Sequence, residues 1–126
     1  MGILEYEELT EKIWAVPIEV HKTLGPGLLE SAYEQCYCHE LSLRGISFER
    51  QMECPVIYKG IKLDCGFRID ILVEGIVILE LKVVEKLTAV HEAQLMTYMK
   101  LANKKVGFLI NFNTTLIKDG IKRRIL

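Results

Sequence analysis

Two carboxylates and a lysine stand out in the middle of the chain, because they interrupt strongly apolar sequence. Glu80 and Lys82 lie two residues apart in the segment IVILELKVV (76–84). On a strand, both would project from the same face, and an unpaired buried charge costs several kcal/mol. These side chains therefore need partners, a metal ion or a wet cleft. Asp70 lies on the preceding extended segment and completes the pattern D-x₉-E-x-K.

Carboxylate oxygens of this kind suit Mg²⁺ or Mn²⁺, which keep several waters and need only one or two carboxylates. Such an ion lowers the pKa of a bound water and neutralises charge that develops on a phosphate. A nearby lysine can orient or deprotonate that water, or stabilise the transition state. The alternative is a structural ion-pair network of Asp70, Lys82 and Glu80 in a sheet. Residue types alone support the two interpretations equally.

The metal interpretation makes a prediction about the turn between the two strands. A two-residue loop at Glu74-Gly75 would place Asp70 and Glu80 on opposite faces of the sheet, because the pairing register fixes the face. A three-residue loop, with Val73 paired to Val77, would place Asp70 directly opposite Glu80. A shared metal ion therefore requires the longer loop, or a bulge or bend at Asp70.

Two predicted helices carry further polar residues with helical spacing. Gly27, Glu30 and Tyr33 form a G-x-x-E-x-x-Y pattern at the start of the second helix. Glu30 falls in the first turn, where the helix dipole by itself favours a carboxylate. Gln94 and Tyr98 are four residues apart and share a face of the third helix. Their simplest interpretation is a surface glutamine and a partly buried tyrosine.

Taken together, these segments resemble the GxxExxY protein family, a group of small proteins in the PD-(D/E)xK nuclease superfamily. The resemblance extends over nearly the whole chain. It covers the segments IEVHKTLGPGLLESAYE (18–34), LDCGFRIDILVEG (63–75), ILELKVVEKLTAVHEAQLMTYMKL (78–101) and GFLINFN (107–113). This combination is far more specific than the D…E-x-K pattern alone.

The resemblance implies a role for each candidate residue. Asp70 and Glu80 would be the metal-binding carboxylates, with the backbone carbonyl of Leu81 as an extra ligand and Lys82 as the catalytic lysine. Glu30 would reach the same ion directly or through water. The pair Gln94-x₃-Tyr98 looks like the Q-x₃-Y element of the RecB-like branch of the superfamily.

The implied function is a Mg²⁺- or Mn²⁺-dependent nuclease that hydrolyses nucleic-acid phosphodiester bonds, with DNA favoured, through a metal-activated water. Two alternatives stay open: a non-catalytic module that keeps the fold and binds nucleic acid or protein, and a metal hydrolase of another phosphodiester. The net charge of −1 counts against nucleic acid, whose phosphates favour basic proteins. Basic residues cluster only near the C-terminus (Lys118, Lys122, Arg123, Arg124), and a homodimer would pool them.

The elements that must position these residues follow the order ααβββαββ. The fold class is α/β, with a mixed central β-sheet flanked by helices and a restriction-endonuclease-like core. Hydrophobic periodicity predicts helices at 5–24, 28–44 and 88–102, and extended segments at 46–58, 61–73, 76–84, 106–112 and 121–126. Pro17 is expected to kink or split the first helix, and Thr88 to cap the third.

Composition sets the broad class of protein. The chain has 126 residues, half of them apolar and 26% charged, which predicts one globular domain over residues 1–126. It shows neither a membrane-spanning apolar run nor a signal peptide, so a cytoplasmic location is expected. The four cysteines are predicted to be free thiols in a reducing compartment, because a chain this rich in apolar residues needs no disulfides. The C-x-C spacing of Cys36 and Cys38 also does not suit zinc.

Overall fold

The computed structural model describes the backbone from residue 3 to residue 126 and side chains from residue 7 onward. Within these residues lie three α-helices, seven strands and one short 3₁₀ helix. The helices are α1 (Ile3–Leu24), α2 (Glu30–Leu43) and α3 (Ala89–Leu101). The strands are β1 (Phe48–Glu53), β2 (Val56–Tyr58), β3 (Ile61–Leu63), β4 (Arg68–Val73), β5 (Val77–Lys82), β6 (Val106–Asn111) and β7 (Ile121–Ile125). The 3₁₀ helix, Ile117–Gly120, precedes β7.

Five of the strands form a central sheet in the order β1-β4-β5-β6-β7. Strands β5 and β6 are parallel and their neighbours are antiparallel, so the sheet is mixed, as predicted. Helices α1 and α2 contribute to a core on one face and α3 to a core on the other. The α/β fold class with a mixed sheet flanked by helices is therefore confirmed.

The number of strands before α3 differs from the prediction, because each of the first two extended segments is divided. Pro55 separates β1 from β2, since proline lacks the N–H that a ladder requires. The Asp64 carboxylate accepts a 3.0 Å hydrogen bond from Gly66 N and forms a turn between β3 and β4. Strands β2 and β3 thereby become a separate hairpin, turned at Lys59-Gly60.

Helix α1 runs through Pro17 without a break, so the expectation that this residue would split the helix is wrong. A proline has no N–H, which deprives the carbonyl of Ile13, four residues earlier, of its helical donor. The hydroxyl of Tyr37 on α2 donates to that carbonyl at 3.2 Å. Tyr37 is fully buried, so α2 supplies the hydrogen bond that α1 lacks.

The turn between β4 and β5 contains three residues, because Val73 pairs with Val77. The left-handed φ angles of Glu74 (54°) and Gly75 (67°) make the reversal. The Glu74 carboxylate also accepts 2.9 Å hydrogen bonds from the backbone N and the hydroxyl of Ser47, which tie the turn to the start of β1. The longer loop that a shared metal ion requires is therefore the one that forms.

The two remaining structural predictions concern membranes and thiols. Along the described residues, no helix combines the length and apolar character needed to cross a bilayer. All four cysteines, Cys36, Cys38, Cys54 and Cys65, are free, as predicted. Cys38 and Cys54 are buried in the two cores, whereas Cys65 is exposed.

Candidate active site

Asp70 and Glu80 face each other at the place where β4 and β5 separate. The strands are paired as far as Ile71 and Leu79, and the next position in the same register holds the two carboxylates. Glu80 Oε2 accepts a hydrogen bond from Asp70 N at 2.8 Å, and Asp70 Oδ2 accepts one from Leu81 N at 2.8 Å. Each carboxylate thus lies against the backbone of the opposite strand.

Alternation along β5 decides which side of the sheet Glu80 faces. Ile78, two residues before Glu80, belongs to the core beneath α3, so Glu80 and Lys82 project toward the α3 side. The alternation of β4 reverses at Asp70, because Ile69 belongs to the core beneath α3 and Ile71 to the core beneath α1 and α2. Asp70 therefore lies at the change of face, and it lines a cleft with residues of α2.

Burial is the largest cause of a raised pKa for both carboxylates, and Glu80 is only 4% exposed. Repulsion between the two groups raises the pKa of Glu80, and the charges of Glu34 and Glu30 raise the pKa of Asp70. Backbone N–H groups and Lys82 act in the opposite direction. The environment therefore disfavours two negative charges unless more positive charge is brought in.

Lys82 lies at the end of β5 and points toward α3. Its Nζ is 3.5 Å from Oε1 of Gln94, so the structure brings these two predicted residues together. Helix α3 is fixed at its start by a capping box in which Thr88 and His91 exchange hydrogen bonds, which is a structural role for His91. The Thr88 cap is confirmed.

Tyr98 lies one turn after Gln94 on α3 and is buried. Its ring contacts that of Phe67 with a centroid separation of 6.0 Å. Burial is the main cause of its raised pKa, with smaller contributions from the charges of Glu80 and Asp70. Tyr98 therefore borders the carboxylate pair from the α3 side.

Glu30 is the first residue of α2 and is exposed. It lines a cleft of about 420 Å³ together with Glu34, Gln51 and Asp70. Its charge raises the pKa of both Asp70 and Glu80, which places it within electrostatic range of the pair. The structure thus brings Glu30 to the same cleft as Asp70, whereas Glu80 is buried.

The other two residues of the G-x-x-E-x-x-Y pattern fix the start of α2. The hydroxyl of Tyr33 donates to Gly25 O at 2.5 Å and accepts from Leu28 N at 3.2 Å. Its ring stacks on Phe112 at 4.4 Å. Gly27 has a φ of 108°, a conformation that favours glycine. The pattern therefore combines one residue at the cleft with two that hold the preceding loop.

Sequence analysis missed three residues beside Asp70: Glu34, Arg50 and Gln51. Glu34 is 5% exposed and forms an ion pair with Arg50 at 2.8 Å. It also accepts a 2.7 Å hydrogen bond from Gln51 Nε2. Two signals point to them in the sequence. Arg50 interrupts the apolar alternation of the first extended segment, and Glu34 follows Glu30 by four residues on one helix face.

The carboxylate oxygens at this site suit Mg²⁺ or Mn²⁺ better than a metal ion that takes all four of its ligands from the protein. Among the residues with described side chains, no group of three or more His, Cys, Asp or Glu is placed to hold one ion. Two neighbouring carboxylates remain, and their burial makes a cation favourable. Hard oxygen donors in this number suit an ion that keeps most of its waters.

Of the basic residues on β7, one forms an ion pair with α3 and two are exposed. Arg124 pairs with Glu92 of α3, whereas Lys122 and Arg123 are exposed on β7. Lys122 pairs with Leu109 of β6, which in turn pairs with Glu80. Lys122 therefore lies on the same face as Glu80, two strands away or roughly 10 Å.

Comparison with known proteins gives one match. A protein-family model described as the PD-(D/E)XK nuclease superfamily matches residues 7–124. Searches of curated proteins and of solved structures found no match. The matched range covers nearly the whole chain and includes every candidate site residue.

Proposed function

We propose that this chain, which belongs to the PD-(D/E)XK nuclease superfamily, is a Mg²⁺- or Mn²⁺-dependent nuclease with DNA as the favoured substrate. The observation that carries the proposal is the pairing of Asp70 and Glu80 across β4 and β5, with Glu80 on the face where Lys82 meets Gln94. Membership of the GxxExxY family, a single domain over residues 1–126 and a cytoplasmic location are further parts of the proposal.

Asp70 and Glu80 would hold the ion, with the carbonyl of Leu81 as an extra ligand. Glu30 would reach the ion directly or through water, because it lines the same cleft as Asp70. When bound, the ion supplies a water of lowered pKa and neutralises charge that develops on the phosphate. Burial of the carboxylates strengthens their attraction for a cation, since the local dielectric is low.

Lys82 would orient the attacking water or stabilise the negative charge of the transition state. Gln94 supports that role because its Oε1 lies within reach of Lys82 Nζ, which limits the directions the ammonium can take. Tyr98 would contribute from one turn further along α3, where its aromatic ring borders the site. These three residues form the side of the site opposite the α2 cleft.

A nucleic-acid substrate is supported by the position of Lys122 on the face that carries Glu80 and Lys82. The net charge of −1 means that positive charge is local, so phosphate contacts would be confined to this side of the sheet. A homodimer would bring two such surfaces together. The same near-neutral charge favours the alternative of a hydrolase that acts on a smaller phosphodiester.

Cleavage assays with Mg²⁺ on single-stranded, double-stranded and branched DNA would test the proposal. Wild-type protein is expected to cleave at least one substrate. Lys82→Ala should lower the rate by about 10²- to 10⁴-fold, the usual range for loss of an acid–base group. Lys86→Ala removes an exposed charge four residues away and serves as the matched control, with an expected rate close to wild type.

Three outcomes would count against a nuclease. Equal cleavage by wild type and Lys82→Ala would indicate a contaminating enzyme. Mn²⁺ binding without cleavage of DNA or RNA would favour a binding module, or a hydrolase of another phosphodiester. Failure of wild type to bind Mn²⁺ more tightly than the Asp70→Asn variant would remove the metal site itself.

A further inference from the structure

Gln51 occupies a left-handed backbone conformation directly across from Asp70. Its φ of 50° is disfavoured for any residue with a side chain other than Asn or Asp. The ladder between β1 and β4 keeps one register on both sides of this position: Arg50 pairs with Ile71, and Met52 pairs with Ile69. Because the register does not shift, the unusual conformation is not needed to insert an extra residue.

The contacts of the Gln51 side chain show what this conformation achieves. Its Nε2 donates to Glu34 Oε1 at 2.7 Å and reaches Asp70 Oδ1 at 3.4 Å. Asp70 Oδ1 is the oxygen that does not accept from Leu81, whose N–H is bonded to Oδ2. The amide therefore contacts the oxygen of Asp70 that faces the cleft.

Glu34 and Arg50 fix the other end of this arrangement. Arg50 donates to Glu34 Oε2 from both Nε (3.2 Å) and Nη2 (2.8 Å), which holds the carboxylate in one orientation. Glu34 then presents its second oxygen to Gln51. Glu34 is buried and Gln51 is exposed. The Gln51 amide is therefore held by a buried carboxylate while Gln51 lines the cleft.

We propose that Gln51 is a positioning residue for Asp70, held in a strained conformation by Glu34 and Arg50 so that its amide orients the free carboxylate oxygen toward a metal ion. The inference rests on the proposed metal-dependent function. Strained backbone is found at functional sites when its surroundings impose it, and here Gln51 donates to a Glu34 carboxylate that two hydrogen bonds from Arg50 hold in place. A purely structural role in joining β1 to α2 would leave metal affinity unchanged.

Five proteins test the inference: wild type, Asp70→Asn, Gln51→Ala, Gln51→Gly and the control Lys59→Gly. Titration calorimetry with Mn²⁺ is expected to show an affinity about five- to tenfold weaker in both Gln51 variants, as for loss of one hydrogen bond to a charged group. The metal-free Gln51→Gly protein should melt several degrees above Gln51→Ala, because only glycine relieves the left-handed φ. Lys59 has the same φ (49°) on the exposed β2–β3 turn, so Lys59→Gly should leave Mn²⁺ affinity unchanged.

The outcomes separate this inference from the proposed function. If wild type binds Mn²⁺, Asp70→Asn abolishes the binding and Gln51→Ala binds as tightly as wild type, the metal site stands and the role of Gln51 is overturned. If wild type and Asp70→Asn bind Mn²⁺ equally weakly, the proposed function fails and the inference fails with it. Equal melting temperatures of Gln51→Ala and Gln51→Gly would overturn the claim of strain.

Discussion

Asp70 and Glu80 exchange hydrogen bonds with each other's strands: Glu80 accepts from the N–H of Asp70, and Asp70 accepts from the N–H next to Glu80, that of Leu81. The arrangement fixes both side chains without pairing them with a cation. It requires the three-residue turn, because a shift of one residue would move one carboxylate to the other face.

The stability of the metal-free protein should fall as the pH rises from about 5 to about 8. In the folded state the pKa is raised to about 6 for Asp70 and about 8 for Glu80, whereas both groups titrate near 4 when unfolded, roughly their ordinary value. The folded state therefore holds protons that the unfolded chain releases, and this contribution to stability is lost as the pH rises through the folded-state values.

Thermal melting in a chelator across this pH range would measure the effect. Glu80→Gln should flatten the pH dependence, whereas Glu49→Gln, an exposed change on β1, should not. Adding Mg²⁺ is expected to raise the melting temperature more at pH 8 than at pH 5. A wild-type melting temperature that falls no more between pH 5 and pH 8 than that of Glu80→Gln would contradict the prediction.

Removal of the Gln94 side chain should affect turnover more than metal binding. In Gln94→Ala the ammonium of Lys82 loses its partner at 3.5 Å, so we expect kcat to fall about tenfold, equivalent to about 1.4 kcal/mol. Mn²⁺ affinity should stay at the wild-type value, since Gln94 contacts neither carboxylate. Gln35→Ala, on the exposed side of α2, is the control. An equal loss of metal affinity and turnover would instead assign Gln94 a structural role.

The hydrogen bond from Tyr37 to Ile13 should be coupled to Pro17. Tyr37→Phe leaves a buried carbonyl without a donor, at a cost of about 1–3 kcal/mol. In the Pro17→Ala background the backbone N–H returns at position 17, so the same change should cost less. Urea denaturation of the four proteins in a double-mutant cycle measures the coupling. Tyr58→Phe removes an exposed hydroxyl and controls for the loss of a tyrosine hydroxyl as such. If the changes in the free energy of unfolding of Tyr37→Phe and Pro17→Ala simply add, the two residues are not coupled.

A methyl group at Gly120 should be poorly tolerated. A Cβ there would lie 2.2 Å from the backbone oxygen of Asn111, and a backbone atom cannot move aside as a flexible side chain can. Gly120→Ala should lower the free energy of unfolding by about 2–3 kcal/mol. Gly60→Ala meets open space at a φ of 81°, so it should cost about 1 kcal/mol. Similar losses for both variants in urea titrations would refute the steric argument.

The features that local sequence determines were predictable. Hydrophobic periodicity located the three helices to within a few residues, and Gly45 ends the second in a left-handed conformation, with a φ of 69°. The predicted Thr88 cap is present. The register of Asp70 and Glu80 followed from a chemical requirement rather than from propensity, because a shared ion demands that both carboxylates face the same side.

Features that depend on distant residues were not predictable. The Glu34–Arg50–Gln51 group joins a helix to a strand across 16 residues of sequence. The left-handed φ of Gln51 cannot be predicted from hydrophobic periodicity. The continuity of α1 through Pro17 depends on Tyr37, 24 residues from the carbonyl it contacts. The interruption at Arg50 was visible in the sequence, but its partner could be identified only once α2 and β1 were packed together.

The charged edge strands also bear on how copies of the chain can associate. Strands β1 and β7 end the sheet, and both carry exposed charged residues, including Glu49 on one edge and Lys122 and Arg123 on the other. Charges at an unpaired edge oppose the addition of a further strand from another molecule. The sheet is thereby protected from growing into fibrils, and copies that assemble would meet through helices or loops.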